Sequence, residues 1–302
     1  MTTHDPRWGG LFPALTTQFD RDGGLDLPAT ARHAEALVAA GMAGVIACGS
    51  LGENQALAPD EKRAVLRTVV EAVGRRVPVL SGVAETSTRA AIDYVRDGER
   101  LGAAGYMVMP PMVYRAPAEE ALHYFRRVAA ATSLPWMLYN NPIGYSVDVT
   151  PAQMAGLADV PNLVAMKESS GNTRRITELR LVVGDRYRLF VGVDDLALES
   201  AVLGLDGWVV GSGVAFPREN QHLWNLIQAG RWDEARAVNR WFFPLSGLDT
   251  HVKFVQYIKL AVQEVGLGAE WVREPRLPLV GAERDRVLAV IHAGIAGRPR
   301  LD

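Results

Sequence analysis

The stretch Leu163-Val164-Ala165-Met166-Lys167-Glu168-Ser169-Ser170-Gly171-Asn172-Thr173 opens with four apolar residues, turns polar at a lysine, and ends in a glycine followed by residues that start helices. An apolar run without alternation suits a parallel strand covered on both faces better than an antiparallel strand with one wet face. The same unit recurs on either side, with strands expected at 11–17, 44–49, 78–83, 106–109, 135–140, 163–168, 187–193 and 207–211. Helix starts fall between them at Pro28, Pro59 with Asp60-Glu61, Thr86-Ser87, Pro117 with Glu119-Glu120, Thr150-Pro151, Asn172-Thr173, Asp194-Asp195 and Pro217 with Glu219. Strict alternation with right-handed crossovers leaves an open doubly wound sheet or a closed barrel, and eight strands favour the barrel. Neither G-x-G-x-x-G nor G-x-x-x-x-G-K-[ST] occurs. The expectation is an α/β fold, a (β/α)8 TIM barrel over residues 1–230, with a helical region over 231–302 whose helices fall at 232–243, 253–265 and 283–296.

The 302 residues are 48% apolar and 22% charged with net charge -2, enough apolar matter for a core, so disorder is excluded. So even a balance leaves no cationic footprint for nucleic acid or an anionic membrane, and neither partner is expected. No apolar run approaches the ~18–20 residues that span a bilayer, and the opening Met1-Thr2-Thr3-His4-Asp5-Pro6 has no secretory pattern, so a cytoplasmic protein is expected. Cys48 has no partner for a disulfide, and His4, His33, His123, His222, His251 and His292 never fall at zinc-ligand spacing, so no metal is expected. Only four of the 32 cations are lysines (Lys62, Lys167, Lys253, Lys259), so a lysine in an odd place stands out.

Active sites of such barrels lie at the C-terminal ends of the strands, where Lys167 closes the sixth. Desolvating an ammonium lowers its pKa, and the neutral amine attacks carbonyls to form Schiff bases. The plainer reading pairs Lys167 with Glu168 or sends it to solvent. Tyr139 ends the fifth strand, in Tyr139-Asn140-Asn141-Pro142, where a hydroxyl can relay a proton to a carbon held by Lys167, although rim tyrosines are commonly just core. After the second strand, Gly49-Ser50-Leu51-Gly52-Glu53-Asn54 forms a turn whose amides and Ser50 hydroxyl can cradle a carboxylate. Other residues have plain readings. Cys48 is a packed thiol, Trp208, Trp232, Trp241 and Trp271 bury area, and Glu53, Asn54, Asp194 and Asp195 cap helices.

Four segments, Gly49-Ser50-Leu51-Gly52-Glu53, Tyr139-Asn140-Asn141-Pro142, Lys167-Glu168-Ser169-Ser170-Gly171-Asn172 and Gly192-Val193-Asp194-Asp195, resemble the signatures of the dihydrodipicolinate synthase/N-acetylneuraminate lyase family in order and spacing. The resemblance implies a barrel with C-terminal helices, usually a homotetramer built as a dimer of dimers. It implies Lys167 as Schiff-base former, Tyr139 as proton relay, and Ser50 within the Gly49–Gly52 turn as the site for the carboxylate of a small 2-oxo acid. Gly192 and Val209 match positions whose backbone lines the pocket. No cofactor is implied beyond the covalent lysine imine.

The chain also departs from that pattern. The synthases carry two threonines in the turn, starting a relay that ends on a tyrosine from a neighbouring subunit, whereas Leu51 takes the second position here. In Met109-Pro110-Pro111-Met112-Val113-Tyr114, Pro111 and Met112 stand where tyrosines are expected, leaving Tyr114 as the nearest one. Gly144 replaces the arginine that binds the aldehyde substrate's carboxylate, and a glycine cannot supply those charge-assisted bonds. Leu51 equally departs from the serine-threonine pair of the sialic acid lyases. An apolar residue after Ser50 resembles members that deaminate 1-pyrroline-4-hydroxy-2-carboxylate, the preferred expectation. The alternatives are a 2-oxo-3-deoxy sugar acid aldolase or dehydratase, an authentic 4-hydroxy-tetrahydrodipicolinate synthase, a non-catalytic binding barrel, and a phosphate-binding barrel enzyme using Gly211-Ser212-Gly213.

Overall fold

The computed structural model describes residues 8–111 and 114–301; His4, Met112 and Val113 lie outside the described residues. Eight strands form one parallel sheet: β1 (Gly10–Pro13), β2 (Val45–Ala47), β3 (Val79–Val83), β4 (Gly105–Val108), β5 (Trp136–Asn140), β6 (Leu163–Glu168), β7 (Arg188–Val191) and β8 (Gly207–Val210). Their order is β1-β8-β7-β6-β5-β4-β3-β2. The ring closes between β1 and β2 through a bridge from Ala14 to Ile46, with the Leu15 amide donating to the Ile46 carbonyl at 2.9 Å. The expected barrel is therefore present, on strands shorter than the apolar runs because barrel strands end where their loops turn away.

The crossovers carry α1 (Leu27–Ala39), α2 (Pro59–Val73), α3 (Thr88–Arg100), α4 (Ala118–Ala129), α5 (Pro142–Tyr145), α6 (Pro151–Ala155), α7 (Arg174–Val183), α8 (Ala197–Val202) and α9 (Pro217–Gln228). Their starts follow the local chemistry. Asp26 accepts the Ala29 amide at 2.9 Å, Ser87 accepts that of Ala90 at 3.1 Å, and Thr150 and Gln153 form a reciprocal capping box. Two details differ from the expectation. Asp194-Asp195 open a single tight turn before α8, and α5 is an extra one-turn helix started by Asn141 and Pro142.

The interior is filled by interlocking large and small residues. Phe12 meets Phe190 edge-on at 5.4 Å, and a Cβ on Gly44 or Gly207 would fall 2.2 Å from Phe12 or Phe190 respectively. Three helices follow the barrel: α10 (Trp232–Ser246), α11 (Phe254–Glu264) and α12 (Gly281–Ala296). Trp241 of α10 donates to the Gly294 carbonyl of α12 at 2.9 Å, while Trp208 of β8 packs against Phe242 of α10. Among the described residues no helix is long and apolar enough to cross a membrane.

Candidate active site

β5 and β6 pair so that Tyr139 lies opposite Lys167, placing both side chains on the same face of the sheet at its C-terminal edge. Lys167 is 6% exposed, and its Nζ lies 3.9 Å from the centroid of the Tyr139 ring. The pleat turns Glu168 to the other face, where it accepts Asn140 Nδ2 at 3.1 Å and the Ser170 amide at 2.6 Å. Pairing of Lys167 with Glu168 is thereby excluded. Lys167 makes no ion pair among the described residues, and burial pushes its pKa down, opposed in part by Asp249, Tyr145 and Asp194.

Tyr139 is held as a phenol, its pKa pushed up to about 12 by burial, and its hydroxyl accepts from Asn141 Nδ2 at 3.1 Å. Ser50 hydrogen-bonds the hydroxyl of Tyr145, whose ring meets that of Tyr139 edge-on at 5.6 Å. Tyr145 is the residue that sequence reasoning missed. It rides on α5, which the Asn141-Pro142 cap-and-proline signal announces. It places a second hydroxyl beside Ser50 within the same chain, while Leu51 is buried at 3% exposure. Tyr114 turns the other way and donates its hydroxyl to Glu120 on α4.

The turn after β2 is closed by the Glu53 amide on the Ser50 carbonyl at 3.1 Å and the Asn54 amide on the Gly49 carbonyl at 3.2 Å. Glycine suits position 52, because a Cβ there would come a tight 3.0 Å from the Leu15 carbonyl oxygen. Asn54 donates to the carbonyls of Cys48 and Gly82, and Glu53 forms no side-chain cap, so the expected capping roles are replaced by ties into the barrel wall. Cys48 is buried and its thiol is pushed up to about 11, which leaves it protonated and inert. Gly192 at the end of β7 adjoins the lysine directly: a Cβ would fall 2.2 Å from Lys167 Cε and 2.1 Å from Ser169 Oγ. Val209 is buried and pairs with Phe12 in the β1–β8 register.

Asp194 is not a helix cap. It accepts Trp208 Nε1 at 2.9 Å, the Gly211 amide at 3.0 Å, and both the amide and hydroxyl of Ser212 at 2.6 Å. Trp208 therefore does more than bury area, and the loop after β8 has already spent these donors on a carboxylate, which removes the phosphate-binding reading. A cleft of about 390 Å³ lined by Arg115, Pro142, Ser146 and Asp148 opens beside α5. A larger cavity of about 710 Å³, lined by Arg126, Pro135, Asp159 and Asn162, lies at the starts of β5 and β6, the barrel end away from Lys167. Among the described residues no group of three His, Cys, Asp or Glu side chains could hold a metal ion.

The sequence matches the dihydrodipicolinate synthetase family over residues 7–294. It is 35% identical to the 4-hydroxy-tetrahydrodipicolinate synthase of Desulforudis audaxviator over 277 residues, 91% of this chain and 92% of that one. The synthase of Moorella thermoacetica is 35% identical over 280 residues, 92% of this chain and 94% of its own. Among solved structures, YagE, a prophage protein of the dihydrodipicolinic acid synthase family from E. coli K12 in complex with pyruvate, superposes with a TM-score of 0.90 at 28% identity, covering 95% of this chain and 99% of its own. A buried strand-end lysine beside a tyrosine and a serine turn is the arrangement a Schiff-base lyase needs, and with this match across nearly its whole length the chain belongs to the dihydrodipicolinate synthetase family of class I lyases and aldolases.

Proposed function

We propose that this chain is an imine-forming lyase acting on a hydroxylated 2-oxo acid or its cyclic imine, with 1-pyrroline-4-hydroxy-2-carboxylate as preferred substrate. The observation that carries the reading is the Lys167 amine, buried at a strand end with no ion-pair partner among the described residues. A buried lysine in that state favours the neutral nucleophile. In this reading Lys167 attacks C2, Tyr139 moves protons at the carbon so activated, Ser50 and Tyr145 extend the hydroxyl chain, and the Gly49–Gly52 turn receives the carboxylate. The enamine then expels the 4-hydroxyl, and hydrolysis releases ammonia and a semialdehyde.

Two features favour this substrate over the synthase reaction. Gly144, exposed on α5, brings no guanidinium to a second carboxylate, and Leu51 removes one hydroxyl from the turn. The second reading, an authentic 4-hydroxy-tetrahydrodipicolinate synthase, is favoured by the names of the relatives. A 2-oxo-3-deoxy sugar acid would use the same lysine. Borohydride trapping with pyruvate and peptide mapping tests the imine: an adduct on Lys167 is expected, and none with any oxo acid would leave a non-catalytic barrel. Turnover of the pyrroline against condensation of pyruvate with aspartate semialdehyde then separates the two substrates, faster condensation overturning the deaminase. The assembly proposed with this function is the homotetramer that the resemblance implies, checked by analytical ultracentrifugation.

A further inference from the structure

β7 and β8 are each followed by a glycine, Gly192 and Gly211, and each glycine makes room for a side chain from elsewhere. Gly192 gives its space to Lys167 and Ser169, as described above. Gly211 gives its space to Asp249, whose Oδ1 lies 2.4 Å from where a Gly211 Cβ would stand. Asp249 comes from the turn between α10 and α11, fixed by its amide donating to the Ser246 carbonyl at 3.0 Å. Its carboxyl is thus brought from the C-terminal helices to the strand ends that hold the lysine. Ser169 is 3% exposed, and its buried Oγ, next to the Tyr139 hydroxyl, makes no well-formed hydrogen bond among the described residues. A buried hydroxyl left unpaired costs stability, so one retained beside a reactive amine points to a polar ligand group.

We propose that Asp249 is the acid that protonates the departing hydroxyl in carbon–oxygen cleavage at this site, with Ser169 hydrogen-bonding the same hydroxyl; the substrate class is a 2-oxo acid, or its cyclic imine, hydroxylated two carbons beyond the imine carbon. The proposal rests on the imine reading of Lys167. With the imine at C2 and a proton lost from C3, the nitrogen lone pair pushes through the enamine to form C3=C4. The C4–O bond breaks with its electron pair on oxygen, which takes the Asp249 proton and leaves as water, and no redox partner is needed.

The surrounding charges suit that role. Burial raises the pKa of Asp194, while the four donors it accepts from favour its charged form. Asp249, desolvated and facing Asp194 and Asp195 from the turn after β7, is held well above the usual carboxylate range and keeps its proton, although Lys167 from β6 pulls the other way. Tyr139 from β5 is a further titratable neighbour of Asp249.

The test uses the full chain as wild type, Asp249→Asn, Asp249→Glu and Gly211→Ala. The substrates are 1-pyrroline-4-hydroxy-2-carboxylate and its 4-fluoro analogue, whose leaving group needs no full proton. Asp249→Asn should lose about 10²–10⁴ in turnover of the hydroxy substrate, release fluoride from the fluoro analogue within about tenfold of wild type, and lose the alkaline limb of the pH profile. Asp249→Glu should recover part of the loss, and Gly211→Ala, which displaces the carboxyl, should behave like Asp249→Asn. Equal losses on both substrates, or no loss on the hydroxy one, overturn the acid. A wild type that traps pyruvate yet releases neither water nor fluoride overturns the substrate class. Failure of wild type to trap any oxo acid falls instead on the imine reading.

Discussion

Three lysines are buried in this molecule, Lys62, Lys167 and Lys259, and the surroundings of the last two differ in kind. Lys259 of α11 is 0% exposed, donates to Glu53 at 3.0 Å and to the Thr17 carbonyl at 2.9 Å, and sits 4.4 Å from the Phe19 ring centroid. Burial lowers its pKa only to about 8, so it stays charged at neutral pH. Lys167 has comparable burial, a tyrosine face, and no ion pair among the described residues. Burial alone does not separate a structural cation from a chemical one; satisfaction does. His33 falls on the satisfied side, its ring nitrogens 3.0 Å from Thr16 Oγ1 and from the Val214 carbonyl oxygen.

The contrast is tested most severely at Lys167. Lys167→Met should abolish borohydride trapping and reduce turnover to background, while Tm stays unchanged or rises, since an unpaired buried amine contributes nothing favourable to folding. A large drop in Tm would make Lys167 structural and erase the distinction. Lys259→Met should do the reverse, costing about 3 kcal/mol in urea unfolding by leaving buried Glu53 with only the Arg273 amide and Arg276 as partners, with adduct formation on Lys167 intact in the folded protein. Adding Glu53→Leu should return much of that loss.

His33 sharpens the satisfied side through pH. Its folded pKa is lowered by burial from 6.5 to about 4, so the unfolded chain binds the extra proton first as pH falls. The stability is complete above about pH 6.5 and lost on descent to about pH 4, amounting to about 3 kcal/mol. His33→Gln should flatten that part of the unfolding profile. The smallest effect expected is at Tyr145: Tyr145→Phe should lower kcat by about 10²-fold, with a smaller change in KM. An unchanged kcat would show the Ser50–Tyr145 hydrogen bond to be packing only.

The eight strands, the main helix starts and the positions of Lys167 and Tyr139 were legible because each depends on a local pattern: an apolar run, a proline or capping residue, a lysine at a strand end. Tyr145 was legible in principle, since Asn141 and Pro142 announce a helix, but the turn is too short for a periodic apolar stripe. Asp249 and Lys259 were not. Each acts on a strand end far from it in sequence, and a pairing such as Lys259 with Glu53 leaves no mark within any window along the chain. The Ser212 loop misled for the same reason, its donors being claimed by Asp194, which reads locally as a cap.

The tie between Lys259 and Glu53 also spans time. The two residues are 206 positions apart, and ribosomes add about 5–20 residues per second, so Glu53 leaves the ribosome roughly 10–40 s before its counter-charge exists. Through that interval the nascent barrel must keep the β2 turn hydrated or its carboxyl protonated. Its first and last segments then lock together only after α11 has been made, which places the final stage of folding after most of the chain has been translated.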